Sequence, residues 1–202
     1  PGEIHAIVGE NGSGKSTLAK ILSGVLVPDE GDFFIFGGTP RTPIEARALG
    51  AVAIFQEVLV ADELSVFENL FAGADGAWRR GHRVSEARSL GHDMLKRLVD
   101  GEIDLDATVG TLPLSLKQWI VIGRSLLSEP KLLILDESSA ALDLDATSRL
   151  HTEIKKLKAQ GSCVVIVSHR IAELVKITDR ATVLRDGSDV GSLSGREITE
   201  EN

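Results

Sequence analysis

Residues 9–16, near the start of the chain, match the pattern G-x-x-x-x-G-K-[ST] of a phosphate-binding loop. Glycines let the backbone adopt turns that are closed to other residues, so successive N–H groups can point inward at a polyphosphate. Lys15 would reach the terminal phosphates, and the Ser16 hydroxyl would bind Mg²⁺. The residues predicted to hold this ligand are Gly9, Glu10, Asn11, Gly12, Ser13, Gly14, Lys15, Ser16 and Thr17.

The elements on both sides of this loop agree with that interpretation. Residues 4–8 form an apolar run typical of a buried strand, and residues 18–22 are helix-like. The phosphates would therefore lie at a helix N-terminus, where the helix dipole favours anions. A glycine-rich turn without a ligand is the alternative, and the lysine and serine in register argue against it.

Two acidic residues follow another apolar strand. Asp136 ends the run of residues 131–136, and Glu137 comes directly after it. An acid at such a strand end can hold Mg²⁺ through water beside the loop serine, and a second acid can orient or deprotonate an attacking water. An acid pair there can also cap a helix or face solvent, but the phosphate loop favours the role in magnesium binding and base catalysis.

Two more polar side chains end predicted strands at the same sheet edge. His169 follows the strand at residues 163–167, so it either contacts the terminal phosphate or serves a structural role. Gln56 ends the strand at residues 51–55, where its carbonyl oxygen can bind Mg²⁺ or the attacking water. A polar residue that simply terminates the strand is the alternative for Gln56.

The order of apolar segments predicts an α/β fold with a mostly parallel sheet and right-handed crossovers. Ligands of such sheets bind outside the carboxyl ends of the strands. Residues 62–116 lack strand patterns, which predicts an all-helical insertion. Further strands are predicted at residues 33–36, 181–184 and 189–193, the last two joined through Asp186-Gly187 as an antiparallel hairpin.

Composition limits the classes of function. A chain of 202 residues with 43% hydrophobic and 26% charged residues can bury one substantial core. The net charge of −8 argues against nucleic acid as a main partner. No apolar run approaches a membrane span, and no leader resembles a signal peptide. The lone Cys163 cannot form an internal disulfide and is predicted to be a buried structural thiol.

Together these motifs resemble the ATP-binding domain of ABC transporters over nearly the whole chain. Residues 9–16 match the Walker A motif, Gln56 the Q-loop, and residues 132–136 the Walker B strand. Residues 140–143 match the D-loop and His169 the switch histidine. The resemblance implies a P-loop NTPase fold of ABC type over residues 1–202, with a helical subdomain at 62–116 and a small antiparallel β portion.

The same resemblance implies ATP and Mg²⁺ as cofactors and an ATP hydrolase activity. It assigns catalysis to Glu137, His169 and Gln56, and metal binding to Ser16, Gln56 and Asp136. Since Pro1 lies almost directly on the first strand, we expect upstream strands to be missing, including the aromatic residue that stacks on adenine. Low ATP affinity is the expected consequence.

Residues 2–12, 64–70 and 183–187 resemble the first of two fused ATPase domains in monosaccharide importers of the ribose, galactose or xylose type. This implies a subunit that powers carbohydrate import from the cytoplasmic face of the cell membrane. Its partners would be a transmembrane permease, a second ATPase domain, either fused or another copy, and indirectly a periplasmic or extracellular sugar-binding protein. An ABC ATPase acting on DNA or ribosomes is disfavoured by the acidic charge.

One family motif departs from its pattern. The register of the helix before the Walker B strand places the LSGGQ signature on residues 112–116, with Pro113 at the serine. Proline has neither a hydroxyl nor an N–H, so this half of a site shared between two domains is predicted to be weak. Ser138 and Ala140 also replace the usual proline and serine. The alternative function is therefore a hydrolysis-impaired regulatory domain in an asymmetric ATPase dimer.

Overall fold

The computed structural model describes residues 2–73, 84–138 and 142–199. Ala140 and Ala141 of the predicted D-loop lie outside the described residues. The described strands are β1 Ile4–Gly9, β2 Ala51–Ile54, β3 Leu132–Asp136, β4 Cys163–Val167, β5 Arg180–Arg185 and β6 Ser188–Ser194. The described α-helices are α1 Lys15–Leu22, α2 Pro43–Ala48, α3 Val66–Leu70, α4 Val84–Leu98, α5 Leu114–Leu127, α6 Leu144–Ala159 and α7 Ile171–Leu174. Short 3₁₀ turns lie at Val109–Thr111 and Gly195–Glu197.

The six strands form one sheet in the order β2-β3-β4-β1-β5-β6. Five are parallel, and β6 pairs antiparallel with β5 through the two-residue turn Asp186-Gly187. Every residue of β3 is buried, as expected for a strand covered on both faces. The predicted mostly parallel sheet with a small antiparallel portion is therefore confirmed.

The chain divides into two compact units. The sheet unit comprises Pro1–Gln56, Pro130–Glu137 and His151–Asn202, and the helical unit comprises Glu57–Glu129 and Ser138–Leu150. In the sheet unit, Ala19 of α1 packs into a buried cluster with Ile7, Ile134 and Val167 of the central strands. This packing holds the start of α1 against the strand that precedes the phosphate loop.

The helical unit is built around close packing of α3, α4 and α5. A Cβ atom at Gly123 of α5 would lie 3.1 Å from a methyl carbon of Leu70 and 3.5 Å from Met94 Cγ, so the glycine permits this approach. Leu98 completes the contact and is fully buried. The described residues of 62–116 contain no strand, only an isolated bridge between Ser65 and Thr108. Among the described residues, no helix is both long enough and apolar enough to cross a membrane.

The strand predicted at residues 33–36 is wrong. Ile35 and Gly38 form an isolated bridge, with N···O distances of 2.8 and 3.0 Å. Phe36 has a φ of 47°, and Phe34 is 75% exposed. The glycine pair after Phe36 turns the chain back after one bridging pair, so an apolar run that looks like a strand makes a tight turn.

Candidate functional site

The phosphate loop connects β1 to α1 and depends on glycines for its shape. Gly9, Gly12 and Gly14 have φ values of 153°, 85° and 97°, in the region that disfavours other residues. A Cβ atom at Gly9 would also lie only 2.2 Å from the carbonyl oxygen of Leu184. Gly14 is the N-cap of α1, so the last part of the loop leads directly into the helix N-terminus.

Lys15 lies inside the loop rather than in solvent. Its side chain is 6% exposed, and Nζ donates to the carbonyl oxygens of Gly9 at 2.9 Å and Glu10 at 2.8 Å. A buried ammonium needs such acceptors, and the loop supplies them. The same cation is within reach of any anion that the loop binds, because the acceptors belong to the loop itself.

Ser16 and Asp136 meet although 120 residues separate them in the chain. The Ser16 hydroxyl donates to Asp136 Oδ1 at 3.1 Å. Burial raises the pKa of the Asp136 carboxyl; the Ser16 hydrogen bond opposes this, Glu137 adds to it, and Lys20 and Lys15 oppose it. The strand-edge argument therefore predicted an acid close to the loop serine, and Asp136 lies there.

Glu137 and His169 form a second pair at the same edge. His169 Nδ1 lies 3.1 Å from Glu137 Oε1, and the Glu137 N–H donates to the carbonyl oxygen of Val167 at 2.9 Å. Glu137 has a φ of 49°, an unusual conformation for a residue with a side chain. Its backbone bond to β4 and its side-chain contact with His169 hold the carboxylate at the end of the strands.

Gln56 is exposed and lies two residues beyond the end of β2. Ile54 pairs with Leu135, so Gln56 follows β2 at the sheet edge where Asp136 ends β3. The structure thus places Gln56 at the predicted edge. Glu10, Asn11, Gly12, Ser16 and Thr17 of the phosphate loop are also exposed at the residue level.

The loop and the two pairs fit a magnesium-bound polyphosphate. Ser13 is buried, and its Oγ has no hydrogen-bond partner among the described residues, as expected of a loop built around a polar ligand. Hydroxyl and carboxylate oxygens such as those of Ser16 and Asp136 suit Mg²⁺. The described residues contain no cluster of three or more histidine, cysteine, aspartate or glutamate side chains able to hold a metal. Mg²⁺ usually combines one or two protein oxygens with substrate phosphates and water, so a site for it does not require such a cluster.

Sequence reasoning missed one neighbour of the loop. The N–H of Gly187, in the β5–β6 turn, donates to the carbonyl oxygen of Ser13 at 3.2 Å. The Asp-Gly dipeptide predicted the turn itself, but no local pattern indicates that a turn lies against a loop far away in the chain.

The predicted signature segment lies in the helical unit. Pro113 is the N-cap of α5 and provides no side-chain cap. Its carbonyl oxygen accepts from the N–H groups of Leu116 at 3.0 Å and Lys117 at 3.1 Å. Leu114 begins the helix and is 61% exposed. The helix therefore begins within residues 112–116, the segment on which the register places the signature.

The sequence and fold are similar to those of known proteins. A family model described as ABC transporter matches residues 1–140. The ribose import ATP-binding protein RbsA 2 of Burkholderia pseudomallei (strain 1710b) is 38% identical over 209 residues, which cover 100% of this chain and 40% of that protein. The chain therefore spans less than half the length of this curated relative.

Solved structures of ATP-binding cassettes share the fold. The dimeric cassette MJ0796, in a post-hydrolysis state bound to ADP and Pi, superposes with a TM-score of 0.86 and 25% identity over 96% of this chain and 85% of that one. The ADP conformation of MJ1267, an ATP-binding cassette of an ABC transporter, gives a TM-score of 0.77 and 26% identity over 98% and 82% of the two chains.

Proposed function

This chain belongs to the ABC transporter family as one of its ATP-binding ATPase domains, and from that premise we propose that it powers monosaccharide import through a membrane permease. The observation that carries the hydrolytic part is the sheet edge where Ser16 meets Asp136 and Glu137 meets His169. The import part is supported by the named function of the ribose import relative, which matches the whole chain. Residues 1–202 would form one ATPase domain, with residues 62–116 as its helical subdomain.

In this proposal the phosphate loop binds the triphosphate of ATP. The binding residues are Gly9, Glu10, Asn11, Gly12, Ser13, Gly14, Lys15, Ser16 and Thr17. Lys15 exchanges its two loop carbonyl partners for phosphate oxygens. The exchange is favourable because a bond between the ammonium and a charged phosphate oxygen is stronger than a bond to a neutral carbonyl. The start of α1 adds the favourable end of its dipole.

Ser16, Asp136 and Gln56 would hold Mg²⁺, which supplies charge neutralisation on the phosphates. Asp136 would contact the Mg²⁺ ion indirectly, through a water molecule bound to the metal. Its raised pKa reflects burial without a full counter-charge, and a nearby cation would favour its ionised form. The Ser16 hydroxyl would turn from Asp136 toward the metal.

Glu137 would act as the general base. Its carboxylate accepts a proton from the attacking water while the water oxygen forms the new bond to the terminal phosphorus and the bond to ADP breaks. His169 would hold the Glu137 side chain and contact the departing phosphate, consistent with their 3.1 Å contact. Gln56 would orient the water from the neighbouring strand end.

The family and Pro113 support the proposed assembly. A permease, a second ATPase domain and, indirectly, a sugar-binding protein would complete the importer at the cytoplasmic face of the membrane. We propose an asymmetric dimer in which this chain's phosphate loop works and its Pro113 end contributes little to the partner's site. The alternative of a hydrolysis-impaired regulatory domain finds no support in the named relatives.

The test of the ATPase function is a Mg·ATP titration of this chain by calorimetry, with Lys15→Ala as the matched variant. We expect binding by the wild type and a loss of at least about tenfold in affinity for Lys15→Ala, because a charge-assisted contact is removed. Equal binding by both folded proteins would contradict the role of the phosphate loop. Uptake of labelled ribose, galactose and xylose by the full-length protein with its permease tests the import function separately.

A further inference from the structure

The β5–β6 hairpin, all of it in the sheet unit, ends directly against the phosphate loop. Asp186 and Gly187 form its two-residue turn with φ values of 50° and 76°. Two positive φ values are typical of a type I′ turn, and Arg185 pairs with Ser188 to close it. In such a turn the amide of the second central residue makes no bond within the turn, so it is available to another partner.

One hydrogen bond and two close backbone approaches join the hairpin to the loop. The Gly187 N–H donates to the Ser13 carbonyl oxygen at 3.2 Å. A Cβ atom at Gly14 would lie 3.8 Å from Gly187 Cα, and one at Gly9 would collide with the Leu184 carbonyl at 2.2 Å. In each case the backbone of the hairpin lies close to the backbone of the loop.

The hydrogen bond fixes the orientation of one loop peptide. The described chain has no cis peptide bond, so the carbonyl of Ser13 and the N–H of Gly14 point in opposite directions. Because Gly187 holds the carbonyl toward the hairpin, the Gly14 N–H is directed away from the hairpin. A peptide that was free to flip would instead present a carbonyl oxygen, which repels phosphate.

We propose that Gly187 is a positioning residue for the phosphate loop, whose N–H holds the Ser13–Gly14 peptide so that the Gly14 N–H faces the bound triphosphate. The inference rests on the proposed ATP binding by this loop. It assigns a role to a residue outside the loop motif, acting through Ser13 and touching no phosphate itself.

The test removes this single N–H. A synthetic peptide of residues 163–202 is ligated through its N-terminal Cys163 to a recombinant thioester of residues 1–162, and the full chain is refolded. In one version Gly187→glycolic acid replaces the amide by an ester. In the matched control, Gly195→glycolic acid removes the N–H that Gly195 donates to the Asp179 carbonyl at 3.0 Å, away from the loop. The unmodified sequence is assembled in the same way.

We expect the ester at 187 to weaken binding of both ATP and inorganic tripolyphosphate by about 5–10-fold, the value of one typical hydrogen bond. The ester at 195 should bind both within about twofold of the unmodified chain, although it loses a comparable backbone bond. Tripolyphosphate matters because it has no base or sugar, so an equal loss for both ligands locates the defect in the phosphate loop. A role in stability alone would lower the melting temperature of both esters and spare both affinities.

Equal affinities for the 187 ester and the unmodified chain would overturn the proposal, as would a loss confined to ATP. If the 187 ester does not fold, amide hydrogen exchange on the recombinant wild type decides. Tripolyphosphate should slow exchange at Gly187 by at least about tenfold and leave Gly195 unchanged, whereas an unchanged rate at Gly187 overturns the inference. Binding that Lys15→Ala leaves intact would instead overturn the proposed function, and this inference with it.

Discussion

The buried carboxyl of Asp136 lowers the stability of the fold when it ionises, although the proposed site uses it to bind Mg²⁺. Burial raises the pKa of its carboxyl, so the folded chain holds the proton more tightly than the unfolded chain does. The stability that this carboxyl contributes is therefore fully present below the ordinary aspartate pKa of about 3.9 and is lost as the pH rises through the raised pKa. Asp136→Asn removes this titration, while its amide oxygen can still accept from Ser16.

We expect Asp136→Asn without nucleotide to be more stable than the wild type at pH 7, with the difference shrinking as the pH is lowered toward 4. Urea unfolding of both proteins across this range measures the difference directly. Asp29→Asn is the matched control, because Asp29 is exposed. A gap between wild type and Asp136→Asn that widens on acidification would refute the assigned sign.

Glu137 allows the chemical step to be separated from binding. Glu137→Gln keeps the side-chain shape and an oxygen that can face His169, but the amide cannot take the proton from water. We expect hydrolysis by the partnered domain to fall by about 10²–10⁴-fold, with ATP affinity within about twofold of the wild type. Single-turnover hydrolysis and a binding titration test the two halves. An affinity that falls in parallel with the rate would show that Glu137 binds ATP rather than activating water.

Among the elements, the segment that follows Gln56 is fixed by one buried side chain of α3. Asn69 is 1% exposed, accepts from the Ala61 N–H at 2.8 Å and donates to the Ala61 and Ser65 carbonyls at 2.9 and 3.0 Å. Asn69→Leu fills a similar volume and leaves the Ala61 N–H without this acceptor, while the Ala61 carbonyl keeps its bond from the Leu64 N–H at 3.1 Å. We expect it to lower the free energy of unfolding by about 2–4 kcal/mol, because three hydrogen bonds of a buried side chain are lost and each contributes about 1 kcal/mol.

Chemical denaturation of Asn69→Leu gives the size of that loss. Ser65→Ala is a useful comparison, since it removes the side-chain cap of α3 but keeps the Ser65 carbonyl bonded to Asn69. The cap variant should cost about 1 kcal/mol. If Asn69→Leu costs no more than Ser65→Ala, the three Asn69 bonds contribute little.

Sequence patterns predicted the elements whose packing environment is visible in their own residues. The parallel strands could be predicted because burial on both faces makes them apolar throughout, as in β3. The meeting of Ser16 and Asp136 followed from the rule that parallel strands end at one sheet edge. Residues 33–36 were misassigned because an apolar run does not reveal whether a neighbour is available to pair with it. The contact from Gly187 to Ser13 was missed because it depends on packing between distant segments, which no motif encodes.

Taken as a whole, the molecule has a phosphate loop and an altered α5 N-terminus, and in the proposed dimer these two features of one chain belong to different ATP sites. Pro113 supplies neither a hydroxyl nor an N–H where its helix begins. If this chain's own Lys15 and Glu137 perform turnover with a signature from the partner domain, Pro113 faces only the partner's loop. Its identity should then matter little to the rate.

We therefore expect Pro113→Ser, in the full-length protein assembled with its partner domain, to change ATP turnover by less than about twofold. The same substitution should raise the free energy of unfolding by about 0.5–2 kcal/mol, because serine caps α5 by accepting from a first-turn N–H. That gain in the free energy of unfolding would show that the serine side chain caps α5. Pro113→Ala, which restores only the N–H, serves as the comparison. A large gain in turnover with serine would mean that the α5 end limits hydrolysis, and the asymmetric dimer would have to be abandoned. If Pro113→Ser leaves turnover unchanged and Lys15→Ala abolishes it, the working site uses this chain's own phosphate loop.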